Sequence, residues 1–142
     1  MKLKPYMLVL LTVSLFACKK ERIPKDQFPT QLTGTWKGQY GFYQSPAPGD
    51  TMFHQPDHFY TVIFEKDSTM TVYDGNEDAA LKGVGRYGIR SRELTAEYHY
   101  IRGGSGSFSL RATLTEPGKL DGKWLIGLYE HTGGKFYLTR QF

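Results

Sequence analysis

The sequence predicts an all-β fold, an eight-stranded antiparallel up-and-down barrel, and three observations carry that prediction. From Gln31 onward, apolar and polar residues alternate in short runs, the period of strands with one dry face. Turn residues interrupt those runs at the regular spacing of an antiparallel barrel or sandwich, and no segment carries a 3.6-residue repeat. The composition agrees: 16 Gly, 10 Tyr and 9 Phe suit short aromatic strands and tight turns, because Gly weakens helices and aromatic rings pack on pleated surfaces. A chain of 142 residues that is 39% hydrophobic supports one compact domain rather than two.

Strands are expected at 35–43, 58–65, 68–74, 81–90, 92–101, 106–115, 119–129 and 134–141. In the first, Trp36, Gly38, Tyr40 and Phe42 alternate with Lys37, Gln39 and Gly41. Tyr60, Val62 and Phe64 carry the second, and Met70 and Val72 the third, between Thr69 and Thr71. The fourth places Leu81, Gly83, Gly85 and Tyr87 on one face. The fifth and sixth alternate most clearly: Leu94, Ala96, Tyr98 and Tyr100 against Glu93, Thr95, Glu97 and His99, then Phe108, Leu110, Ala112 and Leu114 against Ser107, Ser109, Arg111 and Thr113. Ile126 and Leu128 extend the dry face of the seventh strand, and Phe136 and Leu138 form that of the eighth. Lys37, Arg86, Arg111 and Lys123 fall on the opposite face, which excludes a membrane-embedded barrel, since such barrels turn their apolar face to lipid. Eight short-linked strands close into a barrel wide enough for side chains or one small ligand; a two-sheet sandwich is the competing arrangement.

The links are lopsided. Those after even strands are short, such as Lys66-Asp67 and Glu116-Pro117-Gly118, whereas those after odd strands are longer, with three prolines in residues 44–57. One end of the barrel is therefore trimmed and the other elaborated, as expected of binding loops on a rigid scaffold. Phe42, Tyr60, Tyr98, Tyr100, Phe108, Leu128 and Phe136 are the expected ligand-binding wall at the elaborated end, with Phe53 and His54 from the long loop as a lid. Phenolic hydroxyls among rings suit a small apolar or aromatic ligand. A barrel filled entirely by its own side chains is the rival arrangement. Gly38, Gly83 and Gly85 put no side chain inward and so favour space, although glycine also serves strand bends.

The N-terminus reads as an address. Lys2 and Lys4 precede an apolar run from Tyr6 to Phe16, long enough for a signal peptide and too short for a membrane-spanning helix. Leu15-Phe16-Ala17-Cys18 resembles the lipobox of bacterial lipoproteins. That resemblance implies acylation of Cys18, cleavage before it, and a mature protein attached to a membrane through its lipid anchor. Cys18 is the only cysteine, so an intrachain disulfide is impossible. Residues 1–17 are thus the expected signal peptide, 18–30 the lipidated cysteine and a polar flexible tether, and 31–142 the barrel domain. Lys19 after the cysteine resembles the outer-membrane sorting pattern, giving an expected location in the bacterial cell envelope, on a face left open.

Leu32-Thr33-Gly34-Thr35-Trp36 recurs as Leu120-Asp121-Gly122-Lys123-Trp124, and these are the only two tryptophans. Both motifs are read near the starts of odd strands, so Trp36, Trp124 and Arg140 are expected together at the trimmed end as a structural plug. Gly34-Thr35-Trp36 opening the first strand, with Arg140 from the last, resembles the calycins, the superfamily of lipocalins, fatty-acid-binding proteins and avidins. The resemblance covers about residues 31–142 and implies a plugged base with ligand entry at the opposite end. The sequence departs from lipocalins in lacking their disulfide and C-terminal helix.

No cofactor, metal site or catalytic group is expected. His54 and His58 are four apart in a loop, a spacing informative only on a helix, and His99 and His131 have no visible nucleophile beside them. Gly83-x-Gly85 and Gly103-Gly104-x-Gly106 precede no helix that could bind phosphate. The expected protein is a non-enzymatic ligand binder; the alternative is a protein–protein interaction or protease-inhibitor module docking through outward Phe59, Ile63, Val84, Leu125 and Tyr137. Oligomeric state is left open. The net charge of +4 with a pI near 9.1 suggests nucleic acid until it is divided. Lys2 and Lys4 lie in the signal segment, and Lys19, Lys20, Arg22 and Lys25 against Glu21 and Asp26 give the tether its own +2. Nothing of the +4 remains for residues 31–142, so no nucleic-acid partner is expected of the barrel.

Overall fold

The computed structural model describes residues 32–42, 56–75, 81–103, 106–128 and 132–142. They form eight strands: β1 (Gly34–Tyr40), β2 (His58–Phe64), β3 (Thr69–Asp74), β4 (Leu81–Arg90), β5 (Glu93–Tyr100), β6 (Ser107–Glu116), β7 (Lys119–Ile126) and β8 (Gly134–Arg140). Each pairs antiparallel with the next, and β8 returns to β1 with Trp36 opposite Arg140 and Tyr40 opposite Phe136. The result is a closed barrel rather than a two-sheet sandwich, and closure leaves no strand edge unpaired.

Alternation in sequence becomes alternation in burial. On β5, Leu94, Ala96 and Tyr98 are buried while Glu93, Thr95, Glu97 and His99 are exposed. One continuous apolar core runs from Leu32 and Trp36 through Phe64, Met70, Leu94, Leu110, Leu114 and Leu120 to Leu138. Lys37, Arg86, Arg111 and Lys123 lie exposed on the outer wall. The links after even strands form one end, here called the base, and those after odd strands the mouth. The base turns are tight: Ser68 and Ser91 adopt φ of 67° and 59°. Asp67 Oδ1 supports the first of these turns, accepting from the Thr69 amide at 3.0 Å and the Thr69 hydroxyl at 2.6 Å, an Asx arrangement that satisfies the turn backbone.

Strand limits follow the expectation closely at the base and depart from it at the mouth. β1 stops at Tyr40 instead of 43 and β7 at Ile126 instead of 129. After β7 the chain turns at Gly127, with φ of 62°, and the Gly127 carbonyl accepts a hydrogen bond from Ser109 Oγ at 2.6 Å. This turn therefore lies against the outside of β6. Leu125, expected outward and free to dock a partner, is buried there with its cross-strand neighbour Ser109. Leu81 and Ile126, expected inside, are exposed at the mouth.

Two of the three inward glycines, Gly38 and Gly85, do not create space. A Cβ on Gly38 would lie 1.9 Å from the Tyr137 carbonyl oxygen, and one on Gly85 would lie 2.1 Å from that of Glu97. Both sit where neighbouring backbones approach too closely for a side chain, as barrel curvature requires. A Cβ on Gly88 would make only an ordinary van der Waals contact, with Thr95 Oγ1 at 3.8 Å. Urea denaturation should therefore show Gly85→Ala losing about 1–3 kcal/mol, the usual range for overpacking. Gly88→Ala should hold stability or raise it by roughly 0.5–1 kcal/mol, since alanine constrains the unfolded strand more than glycine does.

Candidate functional site

The base is sealed by the segment that leads into β1. Leu32 is fully buried and its carbonyl accepts from Trp36 Nε1 at 2.8 Å, while the Trp36 ring meets Phe64 edge-on at 6.2 Å. Arg140 donates through Nη2 to the Thr33 carbonyl at 2.8 Å, and its own amide donates to the Gly118 carbonyl at 2.8 Å. A guanidinium suits this position because it holds a carbonyl directionally without a partner charge. Phe64 also packs against Tyr87, at 4.7 Å, whose hydroxyl donates to the Glu65 carbonyl. Trp36 and Arg140 thus meet at the base, as the sequence suggests.

Trp124 does not join them. It pairs with Gly134 at the start of β8, whereas Trp36 pairs with Arg140 at its end. The repeated motif misleads because its two copies enter their strands at different points. Leu32 precedes β1, but Leu120 already lies within β7, opposite the same Leu138 that pairs with Gly38. Trp124 is therefore carried to the mouth, where its Nε1 donates to the Gly41 carbonyl at 2.7 Å.

At the mouth the interior opens into a cavity of about 160 Å³, lined by Tyr40, Tyr60, Asp74, Tyr98, Tyr100, Phe108 and Trp124. The rings form a chain around it. Trp124 lies 5.6 Å from Tyr40 and 6.3 Å from Phe108, and Phe108 lies 5.1 Å from Tyr100. The Tyr100 hydroxyl donates to Asp74 Oδ2 at 2.7 Å. Tyr98 stacks on Phe108 at 5.3 Å, and Tyr60 packs edge-on to Tyr40 at 5.5 Å. A wider groove of about 360 Å³ lies on the outer wall among Arg86, Glu97, Arg111 and Leu128, but it is open to solvent and edged by long charged side chains.

Of the residues expected to bind a ligand, Tyr60, Tyr98, Tyr100 and Phe108 line the cavity. Phe136 is buried beside it, 6.0 Å from Tyr60. Phe42 lies beyond the end of β1, exposed, with its ring 5.3 Å from His58. Leu128 is excluded from the mouth because β7 has already ended and turned outward; it is 68% exposed on the outer wall. Phe53, His54 and Cys18 lie outside the described residues. Tyr40, Asp74 and Trp124 complete the site and were not among its expected members. Asp74 carried a readable signal, since it continues the inward parity of Met70 and Val72. The third strand's expected range ends on this residue, next to a turn, where polar side chains are ordinarily solvated.

Burial is the main cause of the electrostatic character here. It pushes the phenols of Tyr40, Tyr60, Tyr98 and Tyr100 above the usual tyrosine range, with neighbouring phenols and the Asp74 carboxylate adding to the shift in Tyr60, Tyr40 and Tyr100. In Tyr98 the neighbouring hydroxyls act the other way and partly offset burial. Among the described residues the buried Tyr60 hydroxyl has no partner at full hydrogen-bond geometry, although the Tyr98 hydroxyl lies close enough to interact with it and shift its ionisation. Among the described residues, no Lys, Arg or His forms an ion pair with Asp74, and no three His, Cys, Asp or Glu gather as a metal site.

No protein-family model matches the chain, and no curated protein sequence matches it significantly. Among solved structures it is similar to a redesigned β-barrel, with a TM-score of 0.56 and 16% identity over 78% of this chain and 92% of that one. That likeness concerns the fold: a closed, all-β, eight-stranded antiparallel barrel.

The phenols give the barrel an alkaline limit. A folded-state pKa above the ordinary value of 10.0 means the unfolded chain loses these protons first. The stabilising effect is therefore complete below pH 10 and is lost as pH rises beyond it. At about pH 11, Tyr60 and Tyr98, both almost fully buried, should each lower the unfolding free energy relative to neutral pH, because the unfolded chain releases these protons more readily than the folded barrel does. Urea unfolding at neutral pH and at about pH 11 measures the loss, and Tyr98→Phe should reduce it.

Proposed function

We propose that this chain is a lipid-anchored bacterial envelope protein whose barrel mouth binds a small molecule with an apolar or aromatic body. The mouth cavity carries the ligand reading. It opens above a continuous apolar core, it is walled by rings, and the hydroxyl of a buried tyrosine in its wall meets no well-formed hydrogen-bond partner among the described residues. Such a hydroxyl costs about 1–3 kcal/mol when left unsatisfied, and groups of this kind are retained where another requirement offsets the loss. The volume sets the ligand class. About 160 Å³ is close to the size of a cavity that admits a benzene-sized molecule and below the usual range for drug-sized ligands, so a whole fatty acid or sterol is too large.

Support for the envelope address comes from the sequence: the short apolar run, Cys18 after Leu15-Phe16-Ala17, and the polar tether. The base arrangement of Trp36 and Arg140 favours a calycin-like reading, in which the plugged end is structural and the other end binds. No catalytic role enters this reading. Exposed Phe59, Leu81, Ile101 and Ile126 favour a second one, an interaction or protease-inhibitor module that docks a partner around the mouth.

Native mass spectrometry of the full-length protein from its own host should reveal a retained small molecule, and Phe108→Trp, which enlarges a wall residue, should displace it. An empty protein in both forms would favour the docking reading. Cys18→Ser should move the protein from the membrane fraction to the soluble fraction and abolish incorporation of labelled palmitate; unchanged fractionation would remove the lipid anchor from the account.

A further inference from the structure

We infer that the mouth is selective for a small organic cation, an ammonium group carrying small apolar substituents, held by Asp74 within the surrounding rings. This rests on the reading of the mouth as a small-molecule site and names the charge of its ligand.

Two features converge on that charge. Asp74 reaches the cavity from the last position of β3, where it accepts the Tyr100 hydroxyl at 2.7 Å and forms no ion pair among the described residues. A neutral apolar occupant would strip water from this carboxylate and return nothing, which is costly for a charge that the described residues leave without a counter-ion. A cation supplies a partner that those residues do not. The rings act in the same direction, because their faces carry the negative end of the aromatic quadrupole and attract ammonium groups within about 6 Å of the ring centroid. Tyr40, Trp124, Phe108 and Tyr100 follow one another at 5.1–6.3 Å for the adjacent ring pairs, and Asp74 joins the chain through Tyr100. Compact substituents fit a cavity of about 160 Å³; a long hydrocarbon does not. The trimethylammonium group is one such chemistry, and it occurs both in free small molecules and on lipid headgroups.

The test compares choline with its uncharged isostere, 3,3-dimethylbutan-1-ol, on the full-length protein, reading the fluorescence of Trp124 in the cavity wall. Choline should bind at least about tenfold more tightly than the isostere, the difference expected of a charge engaged with rings and a carboxylate, and the signal should vanish in Trp124→Phe. Asp74→Asn, which keeps an acceptor for Tyr100, should weaken choline about tenfold and leave the isostere unchanged. Should that variant not fold, Phe108→Leu serves instead and should weaken choline more than the isostere. Titration with phosphatidylcholine vesicles distinguishes the sources: vesicles competing with choline identify a headgroup ligand, and vesicles without effect a free cation. Equal or tighter binding of the isostere would overturn the cation inference while leaving the small-molecule reading in place. Binding of neither, together with no retained molecule by native mass spectrometry, would overturn both.

Discussion

The pairing of β1 with β8 is the contact on which the rest of the molecule depends. Trp36 opposite Arg140 and Tyr40 opposite Phe136 fix how far the last strand slides along the first, and in an eight-stranded barrel this stagger is linked to tilt and diameter. An interior of that size is filled by side chains wherever the sequence supplies large ones on the inward parity. It supplies them in the lower and middle barrel, with Leu32, Trp36, Phe64, Leu114 and Leu120 all buried. At the top the same parity delivers tyrosines and Asp74, whose polar ends resist a dry packing, and there the cavity forms.

The two ends therefore divide the work. At the base the backbone is bound into a cap: the Leu32 and Thr33 carbonyls hold Trp36 and Arg140, and the Gln141 amide donates to Thr35 at 2.8 Å. Full burial of a side chain such as Leu32 contributes roughly 1.5–3 kcal/mol, so this end can hold a mouth containing a carboxylate and buried phenols. Glycines serve closure rather than space. Gly38 and Gly85 sit where strands press together, and the opening arises from side-chain choice at Asp74, Tyr60 and Tyr100.

Much of this was legible in the sequence, and each miss has its own physical cause. Alternation read all eight strands because a strand buried on one face must repeat every two residues; β5 shows this most regularly, and β6 departs from it only where Ser109 is covered from outside. Parity holds only while the strand lasts. Phe42 and Leu128 were placed inside by extending it past Tyr40 and Ile126, where the chain had already left the sheet. Trp124 shows a different failure: a matching five-residue motif is no guide to height in the barrel, since register is set by the hydrogen-bonded neighbours. Four of the site's members, Tyr60, Tyr98, Tyr100 and Phe108, could be read from aromatic character and parity. Asp74 obeyed the same parity and was hidden by its position next to a turn.

The central claim is that the barrel has one sealed end and one open end whose cavity carries the Asp74 carboxylate, each marked by a tryptophan. Fluorescence quenching by caesium and iodide ions addresses both ends at once. Caesium should quench part of the emission and iodide much less, because a carboxylate and ring faces repel an anion, and the quenchable part should disappear in Trp124→Phe, leaving Trp36 protected. Equal quenching by the two ions, or quenching that persists in Trp124→Phe, would contradict the account.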